Sequence, residues 1–240
     1  MYPAGDMSRP TKRPLRHAAA GDGEPPQSKK RRAECSTSES DPSEALASVD
    51  AAFASVDGYE IARTEKRRQR DAGVFIEGVQ YGEVKSSAFA CALGWCSPKP
   101  GETFIDLGSG TGKAVLTAAA LSAFSAVEGV EILRPLHEAA VAARARCNDA
   151  ALRTKLADVH FHCADALAYP WAAFDIVFVS LTCFTDEQVA RVRERVADLA
   201  TGARIIVTSR TLDSAALKML RRADLPYGKG RMTFIAYERI

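Results

Sequence analysis

The chain has 240 residues, 47% hydrophobic and 26% charged, with a net charge of +2, an ordinary balance for one globular domain with a tail. There is no run of about 18 apolar residues as in a spanning helix, and no apolar run behind a basic start as in a secretory signal. Six cysteines, at 35, 91, 96, 147, 163 and 183, show no Cys-x-x-Cys or other metal-ligand spacing and read as reduced thiols of an intracellular protein.

Charge is unevenly placed. Residues 1–33 carry eight basic against three acidic residues, net +5, which leaves −3 on the rest. From Pro3 to Ala52 there is no aromatic residue. Residues 1–40 therefore read as a disordered basic tail, because such a segment buries too little apolar area to offset its ordering entropy. Lys12-Arg13 and Lys29-Lys30-Arg31-Arg32 have the character of a two-part nuclear localisation signal, or equally of an arm that contacts DNA non-specifically. A nuclear location is the expectation. Asp6, Asp22 and Glu24 interrupt the positive face that a mitochondrial transit peptide needs.

Residues 41–72 form a helical N-terminal segment ahead of a domain at 73–240. Ala45, Leu46, Val49, Ala52, Phe53 and Val56 recur at helical steps. Asp41 is placed to cap, Pro42 suits the first helical position, and Gly58 interrupts the pattern. A second basic cluster follows at Lys66, Arg67, Arg68 and Arg70.

From residue 102 the pattern alternates. Strands are predicted at 102–107, 126–131, 159–163, 174–180 and 203–209, with helices at 114–121, 135–146 and 186–199. Residues 215–225 are ambiguous by periodicity, with strand favoured, and pair with 232–239 in a terminal hairpin around Pro226–Gly230. The fold class is α/β: a Rossmann-like, mainly parallel seven-stranded sheet with helices on both faces.

The first strand-to-helix turn reads FIDLGSGTGKA, 104–114. It is not a Walker loop, since Leu107 and Ala114 replace the first glycine and the Ser or Thr. Nor is it a dinucleotide fingerprint, since Lys113 stands at the third glycine. Asp-x-Gly-x-Gly-x-Gly, with Gly108, Gly110 and Gly112, suits S-adenosylmethionine. Asp106 can receive that cofactor's ammonium, where it would repel a pyrophosphate. Glu131 ends the next strand, roughly 20 residues beyond the first glycine, where a carboxylate accepts ribose hydroxyls. Asp165, just after the third strand, is placed for the adenine amino group. A single strand-end acid is usually a helix cap; three at successive strand ends are harder to explain that way.

QYGEV at 80–84, then DLGSGTGK, GVE, VFVSLTCF (177–184) and PYGKGRMTFIAYER together resemble the disruptor-of-telomeric-silencing family over roughly residues 75–240. These are histone-lysine methyltransferases built on the class I methyltransferase fold instead of the SET fold. The resemblance implies that Tyr81, Gly82, Glu83 and Val84 form the loop over the cofactor and help shape a lysine channel. It also implies that Asp106, Gly108 and Lys113 meet the methionine portion, Glu131 the ribose, and Asp165 with Ala166 the adenine. Phe184 and Tyr227 match aromatic channel positions, so Tyr81, Ser180, Phe184 and Tyr227 are the candidate catalytic residues. Ser180 stands where the family usually has Asn, and Tyr227 where it has Trp. The implied substrate is a core histone lysine in the nucleosome.

Two rivals stay open: the same fold acting on a non-histone protein, and a catalytically weak chromatin-binding module. No membrane partner and no metal are expected. His160 and His162 share a strand face but have no third ligand at suitable spacing. Glu83 is read as ordering its loop more than as a base.

Overall fold

The computed structural model describes residues 41–74, 81–147, 150–227 and 230–240. The expected tail, 1–40, lies outside the described residues. The N-terminal segment is two helices, α1 (Pro42–Ala52) and α2 (Gly58–Asp71), with a turn between them. The sequence pattern breaks at Gly58 because a new helix starts there: the Asp57 carboxylate accepts the Glu60 N–H at 2.9 Å. Asp41 caps α1 by accepting from Ser43 N–H, with Pro42 in the first turn. Such caps stabilise a helix by about 1 kcal/mol each.

A third helix, α3 (Ser86–Gly94), precedes the sheet. Then come β1 (Thr103–Leu107), α4 (Lys113–Leu121), β2 (Ala126–Glu131), α5 (Arg134–Arg146), α6 (Ala150–Lys155), β3 (Val159–Cys163) and β4 (Ile176–Val179). The chain continues through α7 (Asp186–Arg195), β5 (Arg204–Thr208), β6 (Leu217–Tyr227) and β7 (Gly230–Arg239). Helix α7 ends at Arg195 and runs on as a short 3-10 turn, Val196–Asp198. It starts on a capping box: Thr185 Oγ accepts the Gln188 N–H while Gln188 Oε1 accepts the Thr185 N–H.

Among the described residues the seven strands form one sheet in the order β3-β2-β1-β4-β5-β7-β6. The first five are parallel; β7 runs antiparallel between β5 and β6, and β6–β7 is the expected terminal hairpin. Alternation of side chains across the central strands divides the core between the two faces. Phe104, Phe178, Ile206 and Phe234 face α1, α3 and α4 with Val49, Phe89 and Leu116. Ile105, Leu107, Val177, Val179, Ile205 and Val207 face α7 with Val189, Val192 and Trp171. Because β4 and β5 are covered on both faces, they read as unbroken apolar runs.

This order has a functional consequence. From β1 the chain steps outward through β2 to β3, then crosses back to β4. The switch point therefore lies at the carboxyl end of β1, where open α/β sheets bind ligands. Asp106 is on that strand, on the α4 side.

Candidate active site

The turn from β1 into α4 is fixed to β2, since the N–H groups of Gly108 and Ser109 both donate to Val130 O, at 2.8 and 2.9 Å. Gly108, Gly110 and Gly112 all have positive φ. At Gly110 φ is +55°, and a β-carbon there would lie 2.7 Å from Tyr81 Cε2.

Two acids converge beneath this turn. Asp106 is 3% exposed and its Oδ1 has no hydrogen-bond partner among the described residues. Burial, reinforced by the nearby Glu131 charge, holds its carboxyl well above the usual range. Glu131 is buried too, and burial pushes it up, while backbone N–H groups oppose that shift. Its Oε2 accepts Gly110 N–H and its Oε1 accepts Leu133 N–H, both at 2.8 Å. Each oxygen so used keeps a lone pair for a further donor.

An unpartnered buried carboxylate oxygen is expensive unless a donor reaches it. Here it borders a cavity of about 30 Å³ lined by Tyr81, Gly82, Glu83, Asp106, the glycine turn and Ser180. Ser109 Oγ is a second buried polar atom without a partner. An orphaned carboxylate oxygen and a hydroxyl at a glycine turn, beside a second acid, fit the ammonium and hydroxyl donors of an S-adenosylmethionine-type ligand. They do not fit an anionic one.

The segment Tyr81–Val84 covers the turn. Tyr81 packs its ring on Gly110, its hydroxyl lies 3.1 Å from Thr111 Oγ1, and burial raises its phenol pKa. Glu83 pairs with Lys113 Nζ at 3.0 Å and accepts from Thr111 Oγ1 at 3.2 Å. Lys113 also stands 5.1 Å over the Phe53 ring. The Glu83 side chain is thus engaged in holding the loop. Val84 is buried.

The aromatic candidates approach from the other side. Phe184 faces Gly108, whose added β-carbon would lie 3.8 Å from its ring. Tyr227, at the end of β6, brings its hydroxyl so near Gly82 that a β-carbon there would be 2.2 Å away. Cys183 borders the same point, and burial raises its thiol. Ser180 Oγ lies 2.9 Å from Thr208 Oγ1, and Thr182 Oγ1 joins Thr208 and Ser209 at 3.2 and 2.8 Å. Asp165 is exposed beyond β3, apart from the small cavity. Its Oδ1 accepts Leu167 N–H at 2.8 Å, next to the buried Ala166.

One residue of the site escapes sequence reasoning. Tyr59, in the first turn of α2, lies edge-on to Tyr81 with ring centroids 5.1 Å apart. Its hydroxyl receives the Glu83 N–H at 3.4 Å, and burial, with Tyr59 nearby, raises the Tyr227 phenol pKa. Its only signal in the sequence is an aromatic residue at the head of a basic helix.

The two strand histidines belong elsewhere. His162 Nε2 lies 3.1 Å from Glu128 Oε2, off the line of a hydrogen bond. That carboxylate takes its hydrogen bond from the Tyr169 hydroxyl at 2.8 Å.

With this geometry in place, comparison with known proteins is informative. The family model described as histone methylation protein DOT1 matches residues 61–224. No curated protein sequence matches the chain. An RNA methyltransferase from Salinibacter ruber, in complex with S-adenosyl-L-homocysteine, superposes with a TM-score of 0.51 at 19% identity, over 67% of this chain and 94% of that one. Magnesium protoporphyrin IX methyltransferase from Synechocystis PCC 6803, with bound SAM, gives 0.50 at 17%, over 78% and 99%. The [4+2]-cyclase SpnF gives 0.53 at 16%, over 75% and 93%. At such identities the likeness shows the class I methyltransferase fold and no particular substrate.

Proposed function

The chain belongs to the DOT1 histone methylation family and is an S-adenosylmethionine-dependent methyltransferase, and from that premise we propose that its substrate is a lysine of a core histone in the nucleosome. The observation that supports the substrate is the match of residues 61–224 to the histone methylation family, and the one that supports the cofactor is the buried Asp106 Oδ1 beneath a glycine turn and a tyrosine-bearing loop.

In this reading Asp106 receives the cofactor's ammonium, Glu131 the ribose hydroxyls, and Asp165 with Ala166 the adenine. When bound, the cofactor supplies a methyl group already activated by a positively charged sulfur. The remaining task is to present a neutral amine in line with it and to keep water out. A lysine has a free pKa near ~10.4 and must first lose its proton. Tyr81, Phe184 and Tyr227 form an apolar wall that favours the neutral amine by desolvation. Glu83 is committed to Lys113 and Thr111, so it holds the loop and takes no proton. Ser180 and Thr182, both bonded to the buried Thr208, supply hydroxyls that orient the amine. The basic clusters of residues 1–40 support nuclear import and contact with chromatin.

The test is methyl transfer from labelled cofactor onto intact nucleosomes, free histones and total RNA side by side. Label on a histone lysine in nucleosomes supports the reading. Label in RNA alone overturns it.

A further inference from the structure

Helix α2 presents a cationic face that the chemistry above does not use. Tyr59, Arg63, Lys66, Arg67 and Arg70 recur at steps of three and four. With Ala62 and Tyr81 they line an open cleft of about 520 Å³, with no carboxylate lining it among the described residues. Of the acids of this helix, one is buried and two pair with cations of the face at its two ends. Glu65 is buried and takes hydrogen bonds from Arg68 and Gln69. Glu60 pairs with Arg63, and Asp71 lies 3.9 Å from Arg70. Lys66 and Arg67 have no ion-pair partner among the described residues.

The face is also in the right place. Tyr81 belongs both to this cleft and to the small cavity at Asp106, so the two are separated by one phenol ring. The stripe therefore begins at the mouth of the lysine channel and leads away from it.

We propose that this face of α2 is a track for the sugar-phosphate backbone of duplex DNA, docked at the mouth of the methyl-transfer site. From Arg63 to Arg70 the helix rises about 10 Å, the length over which one strand of a duplex presents about three phosphates. Three of the four cations are arginines, whose planar forks suit phosphate oxygens. An acidic peptide would need pockets for its other side chains, and apart from the tyrosines the only apolar lining residue is Ala62. The choice of DNA among polyanions rests on the nucleosomal reading; the cationic track itself does not.

The experiment is binding of a fluorescent DNA duplex to the full-length chain by anisotropy over a range of salt, without methyl transfer. Lys66→Gln/Arg67→Gln/Arg70→Gln is compared with Arg191→Gln/Lys218→Gln/Arg222→Gln, an equal charge loss elsewhere on the exposed surface. Calorimetric cofactor binding verifies that both variants are folded. The α2 variant is expected to lower the slope of log K against log salt by about 2 to 3, at ~0.9 per phosphate contact, with the control changing it by less than half as much. An unchanged slope in the α2 variant, or an equal drop in the control, overturns the proposal. So does a poly-glutamate peptide that binds the wild type and is lost in the α2 variant while DNA binding persists. Since no methylation is read, failure of the histone reading and failure of the track are separate results.

Discussion

Glu83 and Lys113 form an ion pair, Oε1 to Nζ 3.0 Å, that ties the covering loop to the first turn of α4. Both side chains are at most 20% exposed, so water screens the pair less than a surface bridge. Glu83 also accepts from Thr111, and its backbone N–H reaches Tyr59. Glu83→Gln keeps the shape and removes the charge. The variant is expected to bind S-adenosylmethionine about tenfold more weakly, a change of 1.4 kcal/mol, with kcat at saturating cofactor nearly unchanged. Calorimetry and initial rates check both halves.

Asp106→Asn removes a buried charge that lacks a protein partner. The cofactor-free protein is expected to melt at a higher temperature than wild type. Cofactor binding is expected to weaken on the order of 100-fold, since one member of a desolvated charged pair is gone. Thermal melts with and without cofactor separate the two effects.

The same carboxyl sets a pH dependence. Burial raises the folded-state pKa of Asp106, and of Glu131 beside it. A raised pKa means that the folded cofactor-free state holds its proton more tightly. The associated stability is thus fully present below the unfolded value near ~3.9 and is lost as pH rises through the folded value. Melting temperature without cofactor should fall over that window, and fall less in Asp106→Asn. Cofactor affinity should rise over the same window, as the carboxylate forms.

Tyr59→Phe retains the edge-on ring contact with Tyr81 and removes the hydroxyl that receives the Glu83 N–H. The expected result is a several-fold lower kcat on nucleosomes with cofactor affinity within twofold of wild type, about 0.4 kcal/mol. A matching loss of both would place Tyr59 in general folding instead.

Gly110→Ala puts a β-carbon 2.7 Å from the Tyr81 ring at a φ of +55°. The strain costs roughly 1–3 kcal/mol, and the ring must leave the turn. A lower melting temperature and loss of cofactor binding are expected together.

Much of this architecture is legible in the sequence. The strands at 126–131 and 159–163 match β2 and β3 residue for residue. The acids at 106, 131 and 165 are legible because strand ends are where ligands meet an open sheet. Helix α3 is not: SSAFACALG is short, rich in small residues and buried on most sides, so it has no polar face to set a period. Helix α7 reads longer than it is because its 3-10 extension continues the same apolar spacing at Val196 and Leu199. Tyr59 is illegible for another reason. Its partners Tyr81 and Glu83 come from a loop distant in the sequence, and the packing of α2 on α5, through Ala62 with Leu133 and Leu136, brings it to them.

The most direct test of the central claim is a crystal structure with S-adenosylmethionine or its demethylated product bound. The account predicts the ligand's ammonium within hydrogen-bonding distance of Asp106 Oδ1, about 2.8 Å, with both ribose hydroxyls on Glu131 and Tyr81 moved off Gly110. A ligand bound elsewhere, with Asp106 Oδ1 still unpartnered, would contradict it.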